Sequence, residues 1–192
     1  EVAAAGGLTA RPDAPNVMTI DFCDLEVGDE LHPDLHVCDA ADLAFRCHGF
    51  EAGNPWSTSV QFRDHTIRRD TFTMGGFRAS YRFTVKAGVD GSRMQAVVEQ
   101  PELYRVTLNG TELKALPDRH WIDPEMRLLP LGDALRTGEN VLTLECSPMR
   151  VLAEIEPVYI RGDFRLEPAV KGWNIVAAGD FAAGSWKAQG WP

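Results

Sequence analysis

The feature that most constrains this chain is the two-residue rhythm of apolar side chains between Arg78 and Cys146. In FRASYRFTVKAG, Ala79, Tyr81, Phe83 and Val85 fall on one side of an extended chain, while Arg78, Ser80, Arg82 and Thr84 fall on the other. Successive side chains of a strand point to opposite faces, so this spacing describes a strand with one face in a core and one in water. YRVTLNGTEL repeats the pattern with Tyr104, Val106 and Leu108 inward. Its Asn109-Gly110 pair suits a two-residue hairpin turn in which both central residues take positive φ. NVLTLEC places Leu142, Leu144 and Cys146 on one face.

Other segments extend the same reading. SRMQAVVEQ reads as a strand, and NVMTIDFCDLEV as a strand in which Val17, Thr19 and Asp21 alternate with Met18, Ile20 and Phe22. EIEPVYIRGDFRLEP reads as one or two strands divided at Arg161-Gly162-Asp163. A short strand is expected near Leu128 to Leu131, then a helical turn around Asp133 to Leu135, with further turns at VGDELHPD and at Gly138-Glu139-Asn140. DAADLAFRCHGF is the one substantial helix expected: Asp39 as cap, Leu43, Ala44 and Cys47 at helical spacing, Gly49 at the end. Residues 51–76 read as a long loop excursion with a short strand around Thr58 to Phe62.

Short strands, frequent turn signals, little helix and no βαβ rhythm define an all-β chain, an antiparallel sandwich or barrel rather than a doubly wound fold, and of the two the β-sandwich is the expected fold. The expected organisation is a strand, short helix and long loop over residues 1–76, a sandwich core over 77–170, and over 171–192 a C-terminal connection to a further domain, whose end FAAGSWKAQGWP holds no closing strand. Both ends look like fragment boundaries.

Composition narrows the function. Of 192 residues, 44% are hydrophobic and 24% charged, a balance that sustains a core. The net charge is -9 and the 19 Lys and Arg are scattered singly or in pairs such as Arg68-Arg69, so no basic face suits nucleic acid. No apolar run approaches the roughly 18 to 20 residues that span a bilayer. The expectation is a soluble protein without a membrane partner, in a bacterial cytoplasm, periplasm or secreted compartment. Cys23, Cys38, Cys47 and Cys146 lack CxxC spacing and read as buried free thiols rather than zinc ligands or a disulfide framework.

Candidate chemistry is sparse. Glu154 and Glu156 in AEIEP would project to one face of a strand, and paired carboxylates are what glycoside hydrolysis uses, although that geometry is usually assembled from different strands. His48 with His120, Asp64 with His65, and Cys23 with Cys47 match no metal motif. Ser57 and Ser59 lack a GxSxG elbow, and MGGF lacks the GK of a phosphate loop. Calcium suits the hard oxygen ligands of Asp118, Asp123 and Glu125 in one irregular segment, but no EF-hand loop is present, so no cofactor is expected. Asn109-Gly110-Thr111 is a glycosylation sequon already explained as a turn. The remaining candidates are aromatic: Trp56 in GNPW, and Arg119-His120-Trp121, offer an indole to pack on a sugar ring, with polar neighbours for its hydroxyls. Trp173, Trp186 and Trp191 are expected to pack against a neighbouring domain.

The block from residue 78 to 146 resembles the galactose-binding-like, sugar-binding jelly-roll domain of glycoside hydrolases. The pattern xVxLNGxEx is carried by Val106, Leu108, Asn109, Gly110 and Glu112. A dIxxxLxxGxNxLxVxx segment is carried by Leu131, Leu135, Gly138, Glu139, Asn140, Val141, Leu142 and Leu144. NVMTIDFCDLEV, FRCHGF with GNPW, VYIRGDFRL and the terminal WKAQGWP look like the region behind the catalytic barrel of large bacterial α-L-rhamnosidase-type enzymes. The resemblance implies a non-catalytic carbohydrate-associated module, binding sugar or bracing the catalytic domain of the same polypeptide. A ligand-free spacer and a small stand-alone glycosidase are the alternatives.

Overall fold

The computed structural model describes residues 12–57, 75–179 and 184–190. The expected strand at Thr58 to Phe62, the Asp64-His65 pair, Ser59 and Trp191 lie outside them. Two sheets enclose one core. The smaller has four strands, in the order β1 (Asn16–Ile20), β10 (Val158–Gly162), β5 (Gln95–Glu99) and β8 (Met126–Pro130). The larger has eight. Its path runs β11 (Phe164–Pro168), β12 (Trp173–Ala177), β4 (Phe77–Val85), β9 (Gly138–Cys146), β6 (Arg105–Leu108) and β7 (Thr111–Glu112), while β2 (Phe22–Val27) and β3 (Glu30–His36) join beside β4.

The inward residues are those the alternation marks. Ala79, Tyr81, Phe83 and Val85 of β4 and Leu142, Leu144 and Cys146 of β9 meet Met18, Ile20, Ala96, Val98 and Ile160 of the smaller sheet in one buried cluster. The β6–β7 hairpin turns on Asn109 (φ 52) and Gly110 (φ 84), as expected of a two-residue turn with both residues left-handed. Asn109 also reaches across to Asn140, a fully buried amide, through an Nδ2–Oδ1 bond of 2.8 Å.

Four expectations are corrected. NVMTIDFCDLEV is two strands: the chain leaves the smaller sheet at Asp21 and enters the larger one. The buried set therefore changes from Met18 and Ile20 to Cys23, Leu25 and Val27. The break at Asp163 between β10 and β11 makes the same change of sheet. VGDELHPD is not simply a turn, because Glu30 to His36 pair with β2. Gly138-Glu139-Asn140 opens β9 rather than forming a separate turn. The C-terminal stretch contributes β12, antiparallel to β11 and parallel to β4, the one parallel pairing among the described residues of this sheet.

The helix α1 (Val37–Cys47) stands where expected, but its cap is His36, whose Nδ1 accepts from the Cys38 N–H at 3.3 Å, with Asp39 in the first turn. Its buried face is Val37, Ala40, Ala41, Ala44 and Phe45, leaving Cys47 exposed and Leu43 half-buried. All four cysteines are free, and only Cys23 and Cys146 are buried. Among the described residues no helix is long and apolar enough to cross a membrane.

Candidate functional site

Two of the chemical features picked from sequence, Trp56 and the Glu154/Glu156 pair, meet in one cavity. It measures about 230 Å³ and is lined by Trp56, Glu99, Gln100, Tyr104, Leu152, Glu154 and Glu156. Each wall has a separate origin. Trp56 sits on a helical turn, Pro55–Ser57, that α1 holds in place: Asp42 Oδ1 accepts the Asn54 N–H at 2.8 Å. Gly53 before it takes φ +90, and a Cβ there would stand 2.5 Å from Asp42 Oδ1, so only glycine fits beneath the helix. The Asn54 amide then serves both sides of the cavity. Its Oδ1 accepts the Trp56 N–H at 2.9 Å and its Nδ2 donates to Glu154 Oε2 at 2.6 Å.

Glu154 and Glu156 come from the irregular segment after β9, which turns at Val151 and Leu152, where the Ala153 N–H donates to the Arg150 carbonyl at 3.0 Å, yet alternates in burial like a strand. Met149, Val151, Ala153 and Ile155 are buried, and Leu152, Glu154 and Glu156 line the cavity. This segment is clamped by three side chains. Trp56 Nε1 donates to the Val151 carbonyl at 2.5 Å, Tyr104 Oη to the Glu154 carbonyl at 2.6 Å, and Tyr81 Oη to the Glu156 carbonyl at 2.8 Å. Glu99, at the end of β5, faces them across the cavity from the smaller sheet.

Among the described residues no Lys, Arg or His lines the cavity, and the carboxylates feel one another. Partial burial pushes the Glu156 carboxyl above the usual range, and the charges of Glu154 and Glu99 push it further. Glu99 moves the same way, through partial burial and then Glu154, Asp123 and Glu125. Burial holds the Tyr104 hydroxyl well above its ordinary value, so it remains a neutral donor. Groups with such shifts in a concave site are functional candidates because folding alone gives no reason to gather like charges.

Arg119, His120 and Trp121 take a different place. None lines this cavity. Trp121 packs on Tyr159, ring centres 5.3 Å apart, and so covers the outer side of β10, while Arg119 and His120 are exposed on the arm that folds back along β8. The turn of that arm touches the cavity region through the Gln100 N–H, which donates to the Glu125 carbonyl at 3.0 Å. Asp118, Asp123 and Glu125, the hard oxygen ligands weighed for calcium, are on the same arm. Among the described residues, no three His, Cys, Asp or Glu side chains have the geometry to hold one metal ion. His48 is a helix-end residue whose Nδ1 bonds the Ala44 carbonyl at 2.7 Å. Sequence reasoning missed Glu99, Tyr104 and Asn54, which read as a strand end, a core aromatic and a turn residue until the two sheets are assembled.

Compared with known proteins, the chain matches no family model, no curated protein and no solved structure. Its class is therefore defined by fold and cavity alone: an all-β sandwich with an acidic, aromatic-walled pocket at the junction of its sheets.

Proposed function

We propose that this chain is a non-catalytic carbohydrate-associated module and that the Trp56 cavity is where it holds a sugar. The observation that carries this is the convergence of Trp56, Tyr104, Glu99, Glu154 and Glu156 from four separate segments around one small space. An indole and a phenol supply apolar surface for the C–H face of a ring, and carboxylates accept bonds from its hydroxyls. The clamps on Trp56, Glu154 and Tyr104 preorganise these groups, which lowers the entropy cost of binding. At about 230 Å³ the cavity is below the roughly 300–1,000 Å³ of drug-sized sites, so it takes one ring or the end of a chain. In a larger glycoside hydrolase of the α-L-rhamnosidase type, as the sequence resemblance implies, such a module anchors or presents substrate to the catalytic domain.

One observation favours a second reading. The raised carboxyls of Glu156 and Glu99 line one cavity from different segments, and glycosidases likewise draw their two carboxyls from separate segments. Against it stands the size: hydrolysis needs room for the sugar ring and for the leaving group across the scissile bond. The test follows tryptophan fluorescence during titration with a panel of mono- and oligosaccharides and assays aryl glycoside turnover in parallel. Saturable binding, lost in Trp56→Ala, without turnover is the expected result. Turnover abolished by Glu156→Gln would replace binding by catalysis, and silence toward every sugar would leave only a spacer.

A further inference from the structure

A second concavity lies where the larger sheet forks. β9 occupies one edge of β4 along its whole length. On the other edge β2 pairs with Phe77 to Ser80 and β12 with Thr84 and Val85, leaving Tyr81, Arg82 and Phe83 without a strand partner there among the described residues. The gap opens into a cavity of about 360 Å³ beside Phe22, Cys23, Asp24, Ser80 and Arg82. A second cavity of about 560 Å³ adjoins it beside Leu166, Lys187 and Gly190. Met18, Thr19, Asp21, Gly172 and Trp173 line both, so the two form one groove with Trp173 at its middle. Trp173 begins β12 yet remains 50% exposed.

From this geometry we infer that the groove is a second binding site, for a neutral oligosaccharide of two or more rings that lies against Trp173. The identity of the ligand class rests on the carbohydrate function proposed above. Charge makes the ligand neutral: among the described residues the lining carries three carboxylates, Asp21, Asp24 and Asp34, and three cations, Arg82, Lys171 and Lys187. Most are already matched. Arg82 Nε donates to Asp24 Oδ2 at 2.7 Å, and Lys171 bonds Asp34 while its ammonium sits 3.5 Å from the centre of the Phe22 ring. Such pairs offer hydrogen bonds to hydroxyls without favouring an ion. The volumes of the two cavities each fall within the roughly 300–1,000 Å³ of ligand sites, which gives room for consecutive rings on either side of the indole. Burial and then the Asp24 charge push the Cys23 thiol up to about 12, so at this wall of the groove the thiol stays protonated.

Calorimetric titration of the chain with glucose, galactose, xylose and rhamnose, and with linear neutral tetrasaccharides of each, tests this. The expected result is two sites per chain for at least one tetrasaccharide, one of them failing to answer to the corresponding monosaccharide. Trp173→Ala should weaken that site by at least about tenfold and leave the Trp56 cavity intact. Thermal melting checks that the variant folds, and Lys171→Ala, at an exposed residue, supplies a second variant expected to weaken the same site. A single site removed by Trp56→Ala and untouched by either groove variant overturns the groove and leaves the carbohydrate function standing. A site that persists in Trp56→Ala and vanishes in Trp173→Ala supports the groove and removes the cavity. Indifference to every sugar overturns both.

Discussion

The acidic cavity and the outer side of the β2–β4–β9 sheet treat charge in opposite ways. On the sheet, Arg78, Arg82 and Arg105 sit between Glu26, Asp24, Glu139, Glu145 and Glu112, so nearly every acid has a cation within reach. In the cavity Glu99, Glu154 and Glu156 line one space, with no basic residue beside them among the described residues. Cross-strand pairing explains the first, because opposite charges on neighbouring strands stabilise a solvated sheet. Folding gains nothing from the second, and what folding does not explain is where function is to be sought.

The largest effect that would break this contrast is at Asn54. Its buried amide holds both the Trp56 turn and Glu154, so Asn54→Ala should cost about 2–3 kcal/mol in a denaturant melt and abolish the sugar response of the cavity. Stability lost without loss of binding would separate the clamp from the site.

The next effect sharpens the charge difference. Because the folded-state pKa of Glu156 lies above its unfolded value, folding favours the protonated form. Stability from this group is complete below the unfolded value of about 4.3 and is lost as pH rises through the higher folded value. Glu156→Gln removes that loss. Its melting temperature should exceed the wild type by about 1–3 °C near pH 7, with the gap closing toward pH 4. A variant less stable than wild type at neutral pH would mean that the ionised carboxylate is compensated by a partner.

The smallest effect belongs to the paired sheet. Arg82→Ala removes an exposed guanidinium from Asp24 and Glu139 and should lower stability by less than about 1 kcal/mol, fading in high salt. A larger loss would show that the exterior ion pairs, and not only the core, hold the fork of the sheet.

Much of the fold was legible because period-two burial is a local signal: β4, β9 and the Asn109-Gly110 hairpin follow from neighbouring residues alone. The crossing at Asp21 is also written locally, as a change from even to odd buried positions, but it reads as one strand unless that parity is followed past Ile20. β3 hid behind Pro33 and a run of polar residues. β12 hid behind a Lys171-Gly172 turn, and its parallel partner β4 lies far away in sequence. The cavity was half legible: an indole beside an Asn-Pro turn and acids two residues apart are sequence features, whereas Glu99 joins them only through the packing of β5. Trp121 shows the limit of composition, since a loop indole that covers a sheet and one that meets a sugar have the same local sequence.

That ambiguity gives the most direct test. The five tryptophans supply separate indole N–H signals in a nitrogen-15 correlation spectrum, followed during addition of a neutral sugar. Binding in the cavity should shift the Trp56 signal, whose N–H is anchored to Val151, and leave Trp121 on Tyr159 unmoved. A shift confined to Trp121, or no shift for any sugar, would contradict the assignment of the acidic cavity as the sugar site.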